Sequence, residues 1–432
     1  MKKIGIGLLG FGTIGTGVIK TLRDNGRELS ARLGIELCLV KTADIDLETD
    51  RGIKVDASML TSDAASVIDD PEVDIVVELI GGTTAAAGLV NRALERGKPV
   101  VTANKALLAE RGGEIFDLAE KNGTAVYFGA SVGGGIPIIR ALRHGMIANK
   151  VNYICGILNG TCNYILTSME REDMNFGAAL ARAQEKGYAE ADPALDIDGM
   201  DTAHKAAILA SLASGSALPM DRIFVQGIRG FAESDLRYSL DLGYRVKLLA
   251  VVKRYDGEIE VRVQPALVPL GHVLASVSGV FNAVTVRSDP AGETLYYGRG
   301  AGEKPTASTV TADIADAARD LIAGCPAPSP VKAPSGKPPD VKPAEESGNR
   351  YYLRLSLMDK PGVLAGIASV LGKHGISIAS VIQKESGSEF VPVVIVTHRT
   401  RAGDMDAALR NIDKLEETGA GTVRLIIEDL EQ

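Results

Sequence analysis

Seven of the chain's 18 prolines fall between Pro326 and Pro343, in CPAPSPVKAPSGKPPDVKP. Proline lacks the backbone donor that helices and sheets need and favours an extended spacer, so the stretch divides the chain. At roughly 150 residues per domain, 432 residues predict two to four domains. The spacer is assigned to 325–349, and 350–432 is expected to be a separate module. Its length and composition point away from tight mechanical coupling.

Before the spacer, the first 130 residues alternate short apolar strands with helical patterns. Ile4, Ile6 and Leu8 alternate, then Ile14, Val18 and Leu22 recur at helical spacing in a helix expected to run to about Arg23. ELCLVKTAD (36–44), DIVVELI (74–80) and KPVVTA (98–103) are further strands, with helices near 85–96 and 105–121. Such alternation signals a parallel sheet covered on both faces. After a glycine-rich break, SVGGGIP (131–137), longer strand-like runs at 151–158, 244–255 and 258–268 point to an α+β domain on a more antiparallel sheet. A helix at 306–322 is expected to return to the first domain.

Composition narrows the function. Lys+Arg 47 against Asp+Glu 55 leaves a net charge of −8, against a nucleic-acid binder. Cys38, Cys155, Cys162 and Cys325 are scattered without metal or disulfide-framework spacing. The apolar start MKKIGIGLLG is broken by Gly5, Gly7 and Gly10, unlike a signal peptide, and no stretch reaches 18 apolar residues. A cytoplasmic protein with no membrane partner is expected.

Gly10-Phe11-Gly12-Thr13-Ile14-Gly15 is a G-x-G-x-x-G string between a strand and a helix. Gly10 allows the tight turn, Gly12 the approach of a pyrophosphate, and Gly15 close helix–strand packing. The helix N-terminus then faces the anion. An acid at the end of the second strand would hold the adenine ribose: Asp44 is the first choice, Asp46 the second. An acid there favours NAD, whereas Lys41 or Arg51 could hold the phosphate of NADP, and both stay open.

Lys105, in VVTANKALLAE, follows the carboxyl end of a parallel strand, where open sheets bind ligands. It is suited to a phosphate, a nicotinamide amide or a substrate carboxylate. The segment 186–213 carries Glu190, Asp192, Asp196, Asp198 and Asp201, then Lys205. Its helix from Ala203 to Ala213 is apolar on nearly every face and so belongs inside. Asp201 and Lys205 are four apart and share a face. Charges there are costly unless paired, so the two form either a structural ion pair or a reactive site. Asp192, Asp196 and Asp198 do not reproduce the EF-hand ligand order. His204 reads as a helix-face or capping histidine rather than a ligand. Cys162, in NGTCN (159–163), would be the nucleophile of an acylating, cysteine-dependent semialdehyde dehydrogenase, but no histidine in the motif raises its thiolate fraction.

Together GFGTIG, VVTANKALLA, VGGGIPII (132–139), GILNGTCNYI (156–165), GYAEADPALDIDGMDTAHKAAILA (187–210) and GRGAG (298–302) resemble homoserine dehydrogenase over nearly the whole chain. The resemblance implies reversible NAD(P)-dependent interconversion of L-aspartate 4-semialdehyde and L-homoserine, in threonine, isoleucine and methionine synthesis. It implies that Gly10, Phe11, Gly12, Thr13, Ile14 and Gly15 hold the cofactor, with Lys105, Gly187 and Gly302 beside its nicotinamide half. Glu190 and Asp201 would bind the substrate's amino end, Lys205 would exchange the hydroxyl proton, and Asp196 would join their polar network. It also implies a monovalent cation, sodium, on the backbone carbonyls of Val132, Gly134 and Ile136. The family's usual upstream glutamate is Gly129 here, which removes an anionic contributor. Loss of catalysis, leaving a dinucleotide- and amino-acid-sensing regulator, is the non-enzymatic alternative.

The tail reads β-α-β-β-α-β: 351–359, 361–375, ISIASVIQKE, 390–398, a helix near 403–417, and 422–429. That order is ferredoxin-like, and with DKPGVLA (359–365) it resembles an ACT domain, a family of side-by-side pairing amino-acid sensors. A homodimer or homotetramer with an amino-acid effector such as threonine is the expectation. The full assignment is a Rossmann-like α/β domain over 1–132 with a return segment at 305–324, an α+β catalytic and dimerisation domain over 133–304, the 325–349 linker, and the ferredoxin-like ACT domain over 350–432.

Overall fold

The computed structural model describes residues 1–330, 339–383, 389–419 and 421–430. The middle of the proline-rich stretch, 331–338, and the last two residues of ISIASVIQKE lie outside the described residues.

The first sheet is parallel throughout. Its strands run Leu60–Thr61, Ile35–Ala43, Lys2–Leu9, Ile75–Glu78, Val100–Thr102 and Val126–Tyr127 across the sheet. In chain order that is 3-2-1-4-5-6, the doubly wound Rossmann arrangement, whose ligand crevice opens beyond the carboxyl ends of the strands. The helix after the glycine string spans Thr13–Leu33, ten residues beyond the end expected near Arg23. Leu29 and Leu33 still pack against the core, so the helix stops only at Gly34, in the left-handed conformation (φ 69°). Helix Glu303–Ala323 packs against it. Gly17 permits the close approach, because a Cβ there would stand 2.9 Å from that of Ala307.

The second sheet carries Gly292–Arg299, Phe281–Asp289, Lys150–Ile157, Tyr244–Arg254 and Glu258–Pro269 as antiparallel neighbours. Helix Met200–Ser214 lies between this sheet and helix Lys105–Lys121 of the first domain. Ala203, Ala206, Ala207, Leu209 and Ala210 are almost wholly buried because both domains press on it.

The tail has strands Gly348–Met358, Ile378–Gln383, Phe390–Thr397 and Val423–Ile427, with helices Val363–Lys373 and Ala402–Ile412. The loose attachment suggested by the spacer is not what the structure shows. Strand Val423–Ile427 pairs in parallel with Glu258–Pro269 through Ala266–Ile426 and Leu267–Ile427, so one twelve-stranded sheet runs through both units. Within the stretch assigned to the spacer, Asp340–Val341 also pairs with Glu258–Pro269. Backbone pairing between two strands in the interior of the sheet makes the connection, and the composition of the intervening loop carries no record of it.

Candidate active site

Gly199, at φ 89°, turns the chain into helix Met200–Ser214 and leaves Asp201 in its first turn, where the helix dipole favours a carboxylate. One turn later the buried Lys205 Nζ donates to Asp201 Oδ2 at 2.6 Å and to the Leu158 carbonyl at 2.7 Å. Lys105 Nζ, from the first domain, lies 3.2 Å from Asp201 Oδ1. Burial works to raise the Asp201 pKa, but Lys205 and then Lys105 hold its carboxyl far below the usual range.

Asn159 links this pair to the rest of the acidic segment. Its Oδ1 caps helix Gly160–Glu172 by accepting from the Cys162 N–H at 2.8 Å. Its Nδ2 donates to Asp201 Oδ2 at 2.9 Å and to Asp196 Oδ1 at 2.7 Å. Burial, with the Asp201 charge behind it, raises the Asp196 pKa. Asn159 was missed as a site residue, although its place between an apolar strand and a helix start marks a cap. Cys162 is fully buried, its Sγ faces the Asp196 carbonyl at 3.2 Å, and burial holds its thiol well above the ordinary value. That is an inert cysteine and does not fit the cysteine-dependent chemistry. Asp198 is taken by a bidentate pair with Arg229, and Asp192 caps the turn at Ala194. Among the described residues no cluster of three or more His, Cys, Asp or Glu side chains could hold a metal.

The pair opens on a cleft of about 700 Å³ between the two domains. Ile14, Lys105, Gly134, Gly187, Glu190, Asp196, Asp201, Lys205 and Gly302 all line it. Asn159, Thr161, Asn282, Arg299 and Thr306 line it too, and sequence reasoning did not single them out. Gly10, Phe11, Gly12, Thr13, Gly15, Asp44, Val132 and Ile136 do not border this cavity. Glu190 is exposed on its rim.

The glycine string has the geometry its spacing implies. Gly10 sits at φ 101°, a Cβ on Gly15 would lie 2.1 Å from the Gly10 carbonyl, and a Cβ on Gly12 would meet nothing within 4 Å. The backbone at Gly12 is therefore open to an approaching pyrophosphate. Asp44 Oδ2 accepts from the Phe11 N–H, and Oδ1 from the Asp46 N–H at 2.9 Å. Arg51 stands 3.7 Å from Asp44 Oδ1 with its guanidinium 4.7 Å above the Phe11 ring, whereas Lys41 is paired with Asp70 at 2.7 Å. Of the two cations weighed for a ribose phosphate, only Arg51 stands beside Asp44.

At the glycine-rich turn, the Gly134 carbonyl accepts from Thr309 Oγ1 at 2.8 Å and the Ile136 carbonyl from the Ile138 N–H at 2.8 Å. Gly129 leaves space that another carboxylate fills: a Cβ there would lie 2.7 Å from Asp313 Oδ1. Asp313 Oδ2 is buried without a hydrogen-bond partner among the described residues. The acid absent from position 129 thus has a spatial counterpart on helix Glu303–Ala323.

Comparison with known proteins agrees with this architecture. Residues 137–315 match the family model described as homoserine dehydrogenase, 10–129 the homoserine dehydrogenase NAD binding domain, and 351–417 the ACT domain. The homoserine dehydrogenase of Pseudomonas aeruginosa is 43% identical over 439 aligned positions, covering 100% of both chains. That of Bacillus subtilis is 38% identical over 96% of each. The crystal structure of a homoserine dehydrogenase from Thiobacillus denitrificans superposes with a TM-score of 0.95 at 42% identity, covering 99% of each chain. A hyperthermophilic archaeal homoserine dehydrogenase in complex with NADPH superposes at 0.64 with 27% identity, over 73% of this chain and 98% of that one. With a Rossmann domain, a lysine–aspartate pair at the interdomain cleft and full-length relatives of one kind, the chain belongs to the homoserine dehydrogenase family.

Proposed function

We propose that the protein interconverts L-aspartate 4-semialdehyde and L-homoserine with NAD(P). The observation that carries this reading is the buried Lys205–Asp201 pair lining a cleft that Ile14 of the glycine string also lines. Gly10 to Gly15 would hold the dinucleotide, with Asp44 at the ribose and Lys105, Gly187 and Gly302 toward the nicotinamide, and when bound it would supply or take the hydride. As the aldehyde carbon gains that hydride, negative charge develops on its oxygen. The Lys205 ammonium stabilises that charge and passes its proton to it, completing the alcohol; oxidation returns the proton to the amine. The Leu158 carbonyl and Asp201 aim the ammonium.

Glu190 and Asp201 are the proposed partners of the substrate ammonium, with Asp196 in their network through Asn159. Asp201 Oδ1 already faces Lys105, so a bound ammonium displaces that lysine and frees it for the substrate carboxylate or the nicotinamide amide. A sodium ion on the Val132, Gly134 and Ile136 carbonyls belongs to the same reading as a structural element. Oxygen donors suit a hard cation, and the partnerless oxygen of Asp313 belongs to helix Glu303–Ala323, whose Asp313 carboxylate lies against Gly129.

An amino acid such as threonine is the proposed effector of the tail. Side-by-side pairing into a homodimer or homotetramer is supported by Ile378–Gln383, which ends the described sheet with most of its residues exposed. Four unpaired cysteines, and no described helix long and apolar enough to cross a membrane, support a cytoplasmic setting. The test is absorbance of reduced nicotinamide after mixing the protein with L-homoserine and NAD or NADP at alkaline pH. Appearance of reduced dinucleotide is expected, and its absence with both overturns the reading.

A further inference from the structure

Strand Phe281–Asp289 carries Asn282 into the wall of the Lys205 cleft. The residue is 1% exposed, and its Oδ1 has no hydrogen-bond partner among the described residues. Buried polar atoms without partners are rare in native proteins, so an acceptor left open on a cleft wall points to a group that enters the cleft.

Gly300 makes room for the amide, because a Cβ there would stand 2.2 Å from Asn282 Cγ. Gly160 is a neighbour too, and a Cβ on it would come to 3.5 Å from Oδ1. Both glycines line the cleft with Asn282, one in the GRGAG turn (298–302) and one at the start of helix Gly160–Glu172. Gly302, at the end of that turn, is a proposed neighbour of the nicotinamide. Gly160 follows two residues after Leu158, whose carbonyl holds Lys205 Nζ at 2.7 Å. Asn282 thus stands between the turn proposed for the cofactor's reactive end and the strand end that holds the proton donor.

The donors and acceptors of the cleft decide which ligand group is short of a partner. A substrate ammonium has the carboxylates of Glu190, Asp196 and Asp201 along the lining. A nicotinamide carboxamide offers one oxygen and an amino group with two N–H donors. Lys105 can only donate, so it can serve the oxygen and not the amino group. Gly187 and Gly302 bring no side-chain acceptor. The neutral Asn282 oxygen is the complement that the amino group lacks.

We propose that Asn282 recognises the nicotinamide carboxamide, its Oδ1 accepting from the carboxamide amino group while Lys105 donates to the carboxamide oxygen. Held at both ends, the carboxamide keeps the ring from turning over, so one ring face meets the substrate. The inference rests on the dinucleotide reading of the cleft and adds a recognition residue to it.

The test is calorimetric binding of the protein to NAD or NADP, whichever binds more tightly, and to its 3-acetylpyridine analogue, in which a methyl group replaces the amino group. The parent should bind the natural dinucleotide about tenfold more tightly, the worth of one neutral hydrogen bond. Asn282→Ala should lower the natural dinucleotide to the affinity of the analogue, while the analogue stays within about twofold of its parent value. The parent comparison needs no substitution, so it stands even where the variant does not fold. Equal affinity of the parent for the two dinucleotides overturns the proposal. So does an equal loss for both in Asn282→Ala, which would make the residue structural. Unchanged dinucleotide binding in that variant with a raised KM for L-homoserine also overturns it, and assigns Asn282 to the substrate ammonium. Failure of the parent to bind any dinucleotide overturns the dinucleotide reading itself, so the two failures are told apart.

Discussion

Lys205 Nζ and Asp201 Oδ2 meet at 2.6 Å on one face of a helix that two domains bury, and each has a further partner that fixes where it points. Leu158 and Asn159, consecutive residues leaving strand Lys150–Ile157, supply those partners. The strand end thus orients both the proton donor and its counter-charge.

Lys205→Ala removes the group proposed to move the proton. Turnover should fall by ~10²–10⁴-fold, the usual worth of general acid–base catalysis. Dinucleotide affinity, followed by nicotinamide fluorescence, should stay within a few-fold of the parent. Loss of both together would mark Lys205 as structural.

Asn159→Ala deletes a helix cap and the amide that separates Asp196 from Asp201. The cap alone predicts a loss of roughly 1 kcal/mol in denaturant unfolding. The loss of an amide donor to both Asp196 and Asp201 predicts a fall in kcat/KM as well. A stability loss with unchanged kcat/KM would assign Asn159 to the fold only.

Asp313 is a pH probe. Burial raises its pKa to about 7, against the opposing backbone groups of Gly129 and Ala130 and the charge of Arg140. Between the unfolded value of 3.8 and about 7 the folded state binds more protons. Stability from this group is therefore full below the lower value and lost as pH rises through the upper one. Asp313→Asn should melt higher than the parent at pH 8, by an amount on the order of a few kcal/mol in stability, and about equally at pH 4. Melting curves at the two pH values check this, and a lower melting point at pH 8 would show that the charged form has a partner, such as a bound cation.

Glu428 joins the tail to the catalytic sheet. It is buried, and the attraction of Arg262 and Lys253 overcomes burial to lower its pKa to about 2. Lys253 Nζ lies 2.7 Å from Oε1, and the Tyr153 hydroxyl donates to the same oxygen at 3.0 Å. Its contribution is present above the unfolded value of 4.5 and lost as pH falls toward about 2. Glu428→Gln should cost about 3–5 kcal/mol, because it breaks the buried pair with Arg262 and takes away the partner of Lys253. Limited proteolysis should then cut near the spacer sooner, and an unchanged cleavage rate would show that backbone pairing alone holds the tail.

Much of this molecule is local in origin and therefore readable from residue order. Gly10, Gly12 and Gly15 act through backbone conformation within one turn, and the four-residue interval between Asp201 and Lys205 becomes a shared helix face wherever that helix lies. The alternation of apolar strands with helices specified a doubly wound sheet for the same reason. The ferredoxin-like order of the tail was legible too, since it follows from succession alone. What residue order could not supply were meetings of distant segments. Lys105 reaching Asp201 from another domain, Asn159 bridging two carboxylates, and Asp313 filling the space at Gly129 each depend on how sheets and helices pack. The docking of the tail through Ala266 and Ile426 is of the same kind: backbone hydrogen bonds between strands carry no side-chain signature, so only the three-dimensional arrangement decides which edges join.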